Sequence, residues 1–426
     1  MTDQVFERGH GTAHLAGMTR HIDDGVEALA GQGRAAVGPV TIDLDEADTI
    51  RVGSGDATGG ARHVVARRAG VHGEGAPQEY GPAEDQETHD ARIVPDGAES
   101  SYRVGDDLAS LEDNVRLASF QTAGTSETLP GLITDRGVVG IADAVPMGAT
   151  PQATMTTIID EFDRLRPALE RLARDGRATP LADVRLRPPL PRPGKILACI
   201  ANYWEHGALE ARPLNMFLKS ADAVIGPGDT IVLPEFTEPW IFMHEAELAL
   251  VIKGPAKRVK QENWQSAVFG YTGMIDVSAR GEGRRTWKAG SWLGKSFDTF
   301  APLGPCIATA DEIANPNDVL VRFWVDGQLR HNYNTDDMEH LVPELVEFAS
   351  TIMTLNSGDV IACGTNHEGL GPLQDGEVVD FEIQGVGRMR LHVRDPLKRT
   401  WDKGIYMGAD STNPEAVKRN RPPSAR

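Results

Sequence analysis

Two glutamates, two residues apart within an otherwise apolar run, constrain this chain more than any other feature: the segment MHEAELALVI, residues 243–252. The run reads as a strand, in which side chains alternate between faces. Glu245, Glu247, Ala249 and Val251 then share one side, and His244, Ala246, Leu248 and Leu250 the other. Two anions on a half-buried face repel each other, and burial penalises both, unless a cation joins them. The bland alternative is the wet face of an amphipathic strand, where a Glu-x-Glu pair is ordinary. A third carboxylate favours the cation: Asp276, in the mostly apolar, β-like stretch GYTGMIDVSARG. Three carboxylates, with waters filling the remaining positions, describe a Mg²⁺ or Mn²⁺ site better than a zinc site.

Length and charge narrow the rest. A chain of 426 residues has room for two or three domains, and 40% apolar residues are enough for a sizeable core. The formal charge of −19 argues against nucleic acid and anionic membranes as general partners, so an anionic substrate needs a local cationic pocket. Cys199, Cys306 and Cys363 are an odd set without close spacing, which gives neither a disulfide framework nor a zinc knuckle. The opening MTDQVFERGHG has no apolar signal-like core, and no run of about 18 apolar residues occurs. A reducing cytoplasm is the expected location.

Composition divides the chain. Residues 1–100 carry 8 Arg and no Lys against 18 Asp plus Glu, a balance of 8 − 18 = −10. Between residues 53 and 98 the text is rich in Gly, Ala, Glu and Asp, which buries little apolar surface against its ordering entropy. Residues 1–110 are therefore expected to be a largely disordered extension, with GPVTIDL and ARHVVARR as its β-like pieces. From residue 113 to 187 a small α+β domain is expected. NVRLASF alternates like a strand, LITDRGVVGI turns at residues 135–137, and TTIIDEFDRLRPALERLARDG has helical spacing that Pro167 should kink or split. The stretch RPPLPRPGK, residues 187–195, is a proline-stiffened linker placed as the main boundary. Residues 195–395 read as a β-rich α+β domain of short alternating runs with Gly-Asp or Asp-Gly turns. One helix interrupts them, with Leu341, Leu345, Phe348, Ile352 and Met353 on one face. Residues 396–426 form a polar tail.

Read in order, ILACIANYWEHG, NMFLKSADAVIGPGDTIVLP, HEAELALVIKG, VFGYTGMIDVSARG, GKSFDTFAPLGP and CGTNHEGLGPLQDGE closely resemble the fumarylacetoacetate hydrolase superfamily. The match runs from about residue 114 to 395, and six motifs in the correct order make it specific. The resemblance implies a mixed β-sandwich roll for the catalytic domain, and a homodimer built on it. It also implies that Glu245, Glu247 and Asp276 are the metal ligands, that Arg280 contacts substrate and Lys295 is the active-site lysine, and that Thr365 binds the substrate's carboxylate end. By the same resemblance His206 is the general base. Its local alternative is a histidine at an exposed helix start. Tyr203 is expected as a pocket wall. Lys219 either reaches substrate or snorkels at a strand end. His367 and Glu368 either line the pocket or are turn residues, and Cys363 reads as a small core residue.

Two positions depart from the family pattern. Where many hydrolytic members have a glutamate three residues after the base, this chain has Leu209, with Glu210 one later. In a helix Glu210 still faces His206 at i+4 spacing. Where a glutamine commonly follows the arginine by three, this chain has Gly283. The leading expectation is a Mg²⁺- or Mn²⁺-dependent hydrolase that cleaves a C–C bond in an acylpyruvate-like or fumarylacetoacetate-like dioxo acid, in aromatic-compound breakdown. A hydratase, isomerase or decarboxylase of 2-oxo acids uses the same fold. A catalytically silent, metal-stabilised binding protein is the reading from another class.

Overall fold

The computed structural model describes residues 115–204, 210–235, 240–281, 293–367 and 369–401, and the backbone of four short strands nearer the start. The chain forms two compact units, Met1–Ile93 and Val94–Arg426. In the first, Val40–Leu44, Ile50–Ser54 and Arg62–Ala66 make an antiparallel three-stranded sheet. Two of these strands fall on the pieces GPVTIDL and ARHVVARR. The remainder of the expected extension lies outside the described residues, apart from the strand Tyr102–Arg103, and so does the tail from residue 402.

The second unit is a β-rich α+β fold built on two sheets. The larger has twelve strands. Its central strand, Ala246–Ile252, is buried along its whole length and lies between antiparallel Val268–Ile275 and Val360–Ala362. Next to Val360–Ala362 comes parallel Ile196–Cys199, and then Met216–Lys219. On the other side Ala301–Thr309 pairs with Val268–Ile275 and hands the sheet on to Arg116–Thr122 and the hairpin Leu129–Thr134/Gly137–Gly140. Strands from before and after the proline stretch 187–195 therefore share one sheet and one core, so that stretch links two parts of a single packed unit.

Local chemistry explains most boundaries. The first helix, Pro151–Asp160, starts where Thr150 Oγ1 accepts from the Ala153 amide at 3.1 Å and proline takes the first helical position. The expected split in the helical stretch occurs at Glu161, and not at Pro167, which lies inside the second helix, Phe162–Asp175. Pro167 is on the exposed side, where water can satisfy the carbonyl that its missing N–H leaves free. The helix Val342–Ile352 buries Val342, Leu345, Val346 and Ala349, so of the five apolar residues expected on one face only Leu345 is fully buried, with Met353 packed at the edge of the core and Leu341 exposed. Phe348 is only partly buried and Ile352 is exposed, because VPELVEFASTI is apolar on more than one face and spacing alone does not choose between them.

The second sheet has six strands, with Thr230–Val232, Gly387–Arg394, Val378–Ile383, Leu320–Val325 and Gln328–Asn334 in that spatial order. It packs on the central strands of the first, and Phe381 sets the closeness of approach. A Cβ at Gly273 would lie 2.5 Å from the Phe381 ring and 2.8 Å from the Gly304 carbonyl. Gly273→Ala should therefore destabilise the fold by about 1–3 kcal/mol. The measurement is the shift in urea midpoint, and an unchanged midpoint would mean that the sheets separate freely there.

Candidate metal and substrate site

Strand pairing assembles the acidic cluster. Glu245 lies between the strands Trp240–Met243 and Ala246–Ile252, and Glu247 follows two residues later on the same side. Opposite them, Ile275 pairs with Ala246 and Met274 with Glu247, which delivers Asp276 beside Glu245. The Asp276 amide donates to the Glu245 carbonyl at 2.8 Å. Ligand oxygens of Glu245, Glu247 and Asp276 all lie within 4.8 Å of one another, and all three residues are buried.

Three cations from three other elements surround the cluster. Arg280, on the strand Ser278–Gly281, places its Nη2 2.6 Å from Glu245 Oε1. Lys295, from the 3₁₀ turn Leu293–Lys295, sets its Nζ 2.8 Å from Glu245 Oε2 and 2.5 Å from Asp276 Oδ2. Lys219, at the end of the strand Met216–Lys219, donates to Asp276 Oδ1 at 2.6 Å, to the Val277 carbonyl at 3.3 Å and to the Lys295 carbonyl. Lys219 thus neither snorkels nor faces an open pocket, because its side chain is fully enclosed. Its strand text offers a lysine among apolar neighbours, which does not say which acid it will meet.

Electrostatics separates the three carboxylates. Burial pushes Glu245 up, but Lys295 and Arg280 outweigh it and hold the carboxyl well below its usual range. Glu247 goes the other way. Burial, then the neighbouring Asp276 and Glu245 carboxylates, push it well above the usual range. Its Oε2 accepts from the Gly364 amide at 2.7 Å, whereas Oε1 is buried with no hydrogen-bond partner among the described residues. An orphaned carboxylate oxygen beside two other acids is costly as it stands, and a hard dication bound there would reverse the balance. The all-oxygen donor set fits Mg²⁺ or Mn²⁺. Burial draws the Lys219 ammonium below the usual lysine range despite Asp276, while for Lys295 the same penalty is outweighed by Asp276 and Glu245.

A bent glycine loop closes one side. Gly364 and Gly369 have positive φ, and a Cβ at Gly369 would sit 1.7 Å from the Arg330 carbonyl. Thr365 on this loop is buried, with its hydroxyl donating to the Asn366 carbonyl at 3.3 Å. Asn202 pins the loop, donating to the carbonyls of Cys363 and His340, both at 3.0 Å. Cys363 itself is buried, and burial pushes its thiol well up, as suits a small core residue. Tyr203 is fully enclosed, its ring edge-on to Tyr333 at 4.9 Å, so it packs in the core instead of forming an open wall. Tyr333 in turn donates to the Ala246 carbonyl, beneath the strand that carries Glu247. Glu210 is exposed, and His206 and Glu368 lie outside the described residues. Behind Glu245, His244 Nδ1 and His331 Nε2 lie 2.9 Å apart in a buried pair that the alternation pattern could not reveal.

A sequence profile of the fumarylacetoacetate (FAA) hydrolase C-terminal domain matches residues 195–394. A maleylpyruvate hydrolase of Aquipseudomonas alcaligenes is 34% identical over 288 residues, covering 63% of this chain and 97% of that protein. A bovine mitochondrial oxaloacetate tautomerase is 32% identical over 293 residues, covering 64% and 90% respectively. The crystal structure of maleylpyruvate hydrolase from Sphingobium sp. SYK-6, in complex with manganese(II) ion and pyruvate, aligns with a TM-score of 0.58 at 35% identity. That alignment spans 66% of this chain and 99% of that one.

The geometry makes a direct prediction. Replacing Glu245 and Glu247 together by Gln should weaken Mn²⁺ and Mg²⁺ uptake by at least about 100-fold, read by titration calorimetry. Undiminished uptake would mean that the cation binds elsewhere.

Proposed function

The chain belongs to the fumarylacetoacetate hydrolase family, and on that premise we propose that it is a divalent-metal-dependent hydrolase cleaving a C–C bond in a dioxo acid of the acylpyruvate kind, in aromatic-compound breakdown. One observation carries the proposal: three buried carboxylates converge on one point, with Arg280 and Lys295 beside them. Glu245, Glu247 and Asp276 hold Mg²⁺ or Mn²⁺. When bound, the cation supplies Lewis acidity and a template for neighbouring substrate oxygens.

The chain's own residues do the rest. Arg280 and Lys295 place positive charge where the substrate's anion lands and where negative charge grows as the bond breaks, which counts for more in a water-poor site than at a surface. Thr365, held by the glycine loop, orients the carboxylate end. His206 takes the proton of the attacking water, with Glu210 four residues on to orient it. Water adds to the distal carbonyl carbon, the bond to the next carbon breaks with its electron pair passing to the leaving fragment as an enolate, and the proton that His206 took from the water returns to that carbon. The substrate is a small anionic dioxo or oxo acid, and the working form is a cytoplasmic homodimer. Among the described residues no helix is long and apolar enough to cross a membrane.

The departures at Leu209 and Gly283, together with the oxaloacetate tautomerase relative, favour a second reading: isomerisation or tautomerisation of a 2-oxo acid on the same site. EDTA treatment should abolish turnover of acylpyruvates, maleylpyruvate, fumarylpyruvate or oxaloacetate, and Mn²⁺ should restore it. A protein that melts metal-dependently yet turns over nothing would be the silent binding protein instead. His206→Ala should slow C–C hydrolysis by about 10²–10⁴-fold. Hydrolysis at nearly the full rate in that variant, or keto–enol exchange as the sole turnover of the wild type, would move the assignment to the second reading.

A further inference from the structure

Two lysines meet the same aspartate in different ways. All three protons of the Lys219 ammonium have an acceptor: Asp276 Oδ1 and the carbonyls of Val277 and Lys295. Its side chain has no exposure, and its backbone is registered in the sheet opposite Ile196. Nothing in that arrangement leaves it anywhere else to go. Lys295 is held less completely. Its turn is three residues long and begins at exposed Leu293, and its Nζ is bonded to Glu245 Oε2 and Asp276 Oδ2, with the Phe217 ring 5.1 Å away. Both acceptors belong to the carboxylates that would chelate the cation. An ammonium and a dication cannot share the space between those oxygens, because like charges at such range repel strongly.

We propose that Lys219 is a fixed brace that orients Asp276 toward the metal, whereas Lys295 is a tethered counter-cation that competes with the metal for Glu245 and Asp276 and is displaced when it binds. The proposal rests on the metal site described above. It divides two residues that charge alone would treat alike, since deleting either cation beside a dication should tighten metal binding. The brace reverses the sign for Lys219. Without it Asp276 loses the contact that fixes its Oδ1, and its Oδ2 is no longer aimed at the shared point.

Mn²⁺ titration of the full chain, by calorimetry and by electron paramagnetic resonance of the bound ion, tests this. Lys295→Met should bind Mn²⁺ about tenfold more tightly, because the competing like charge is gone. Lys219→Met should bind it about tenfold more weakly and broaden the bound-ion spectrum, as expected when a group that orients a ligand is lost. Lys219→Arg keeps the charge but cannot reproduce the compact three-acceptor contact. It should also weaken binding, and it serves as the readout if the methionine variant does not fold. Lys295→Gln plays the same part for the other position and should tighten binding. Unchanged or weaker binding in the Lys295 variants overturns the competition, and unchanged or tighter binding in the Lys219 variants overturns the brace. A wild-type chain that takes up no Mn²⁺ overturns the metal site itself, a result distinct from either.

Discussion

Three carboxylates confined within a few ångströms, with little water to screen them, are the constraint around which this structure is organised. Left alone they would repel one another and protonate. Here they are balanced by Arg280, Lys219 and Lys295, each from a different segment. That arrangement requires the central strands to hold their register. A one-residue slip of Ala246–Ile252 against Val268–Ile275 would carry Glu247 to the opposite face and move Asp276 away from Glu245. The fully buried neighbours on both strands make such a slip expensive, so the hydrophobic core and the acidic site are fixed by the same pairing.

The surroundings extend this logic outward. The glycine loop approaches the cluster closely enough for the Gly364 amide to bond Glu247, which needs a backbone that bends with positive φ and carries no side chain at the turn. Asn202 ties the loop to the turn before the helix Val342–Ile352, and Arg212 grips buried Glu339 in that turn through Nε at 2.8 Å and its own amide at 2.7 Å. The inner part of the site is thus held from several segments at once, whereas the positions at which this chain departs from the family pattern, Leu209 and Gly283, lie outside the described residues.

How much was legible beforehand depended on whether the signal was local. Glu245 and Glu247 announced themselves because a period of two within an apolar run puts both on one face, whatever the rest of the chain does. The hairpin at residues 135–137 was equally readable, since Gly137 adopts the positive φ that its turn requires. The buried face of the helix Val342–Ile352 was not, because its sequence is apolar on competing faces and only the sheet beneath decides which one is covered. Tyr203 looked like a pocket wall from its motif and lies in the core, since nothing in the motif encodes Tyr333 packing against it.

By itself the sequence determined the acidic pair, the third carboxylate, the β-rich class and the family, because strand alternation and motif order are written along the chain. The resemblance already put Arg280 and Lys295 at the site, and only the tertiary structure decided which oxygens they meet and that Lys219 joins them. Lys219 is 57 residues from Asp276 along the chain and Lys295 is 50 from Glu245. Contacts at that separation are set by sheet order, which no local spacing specifies.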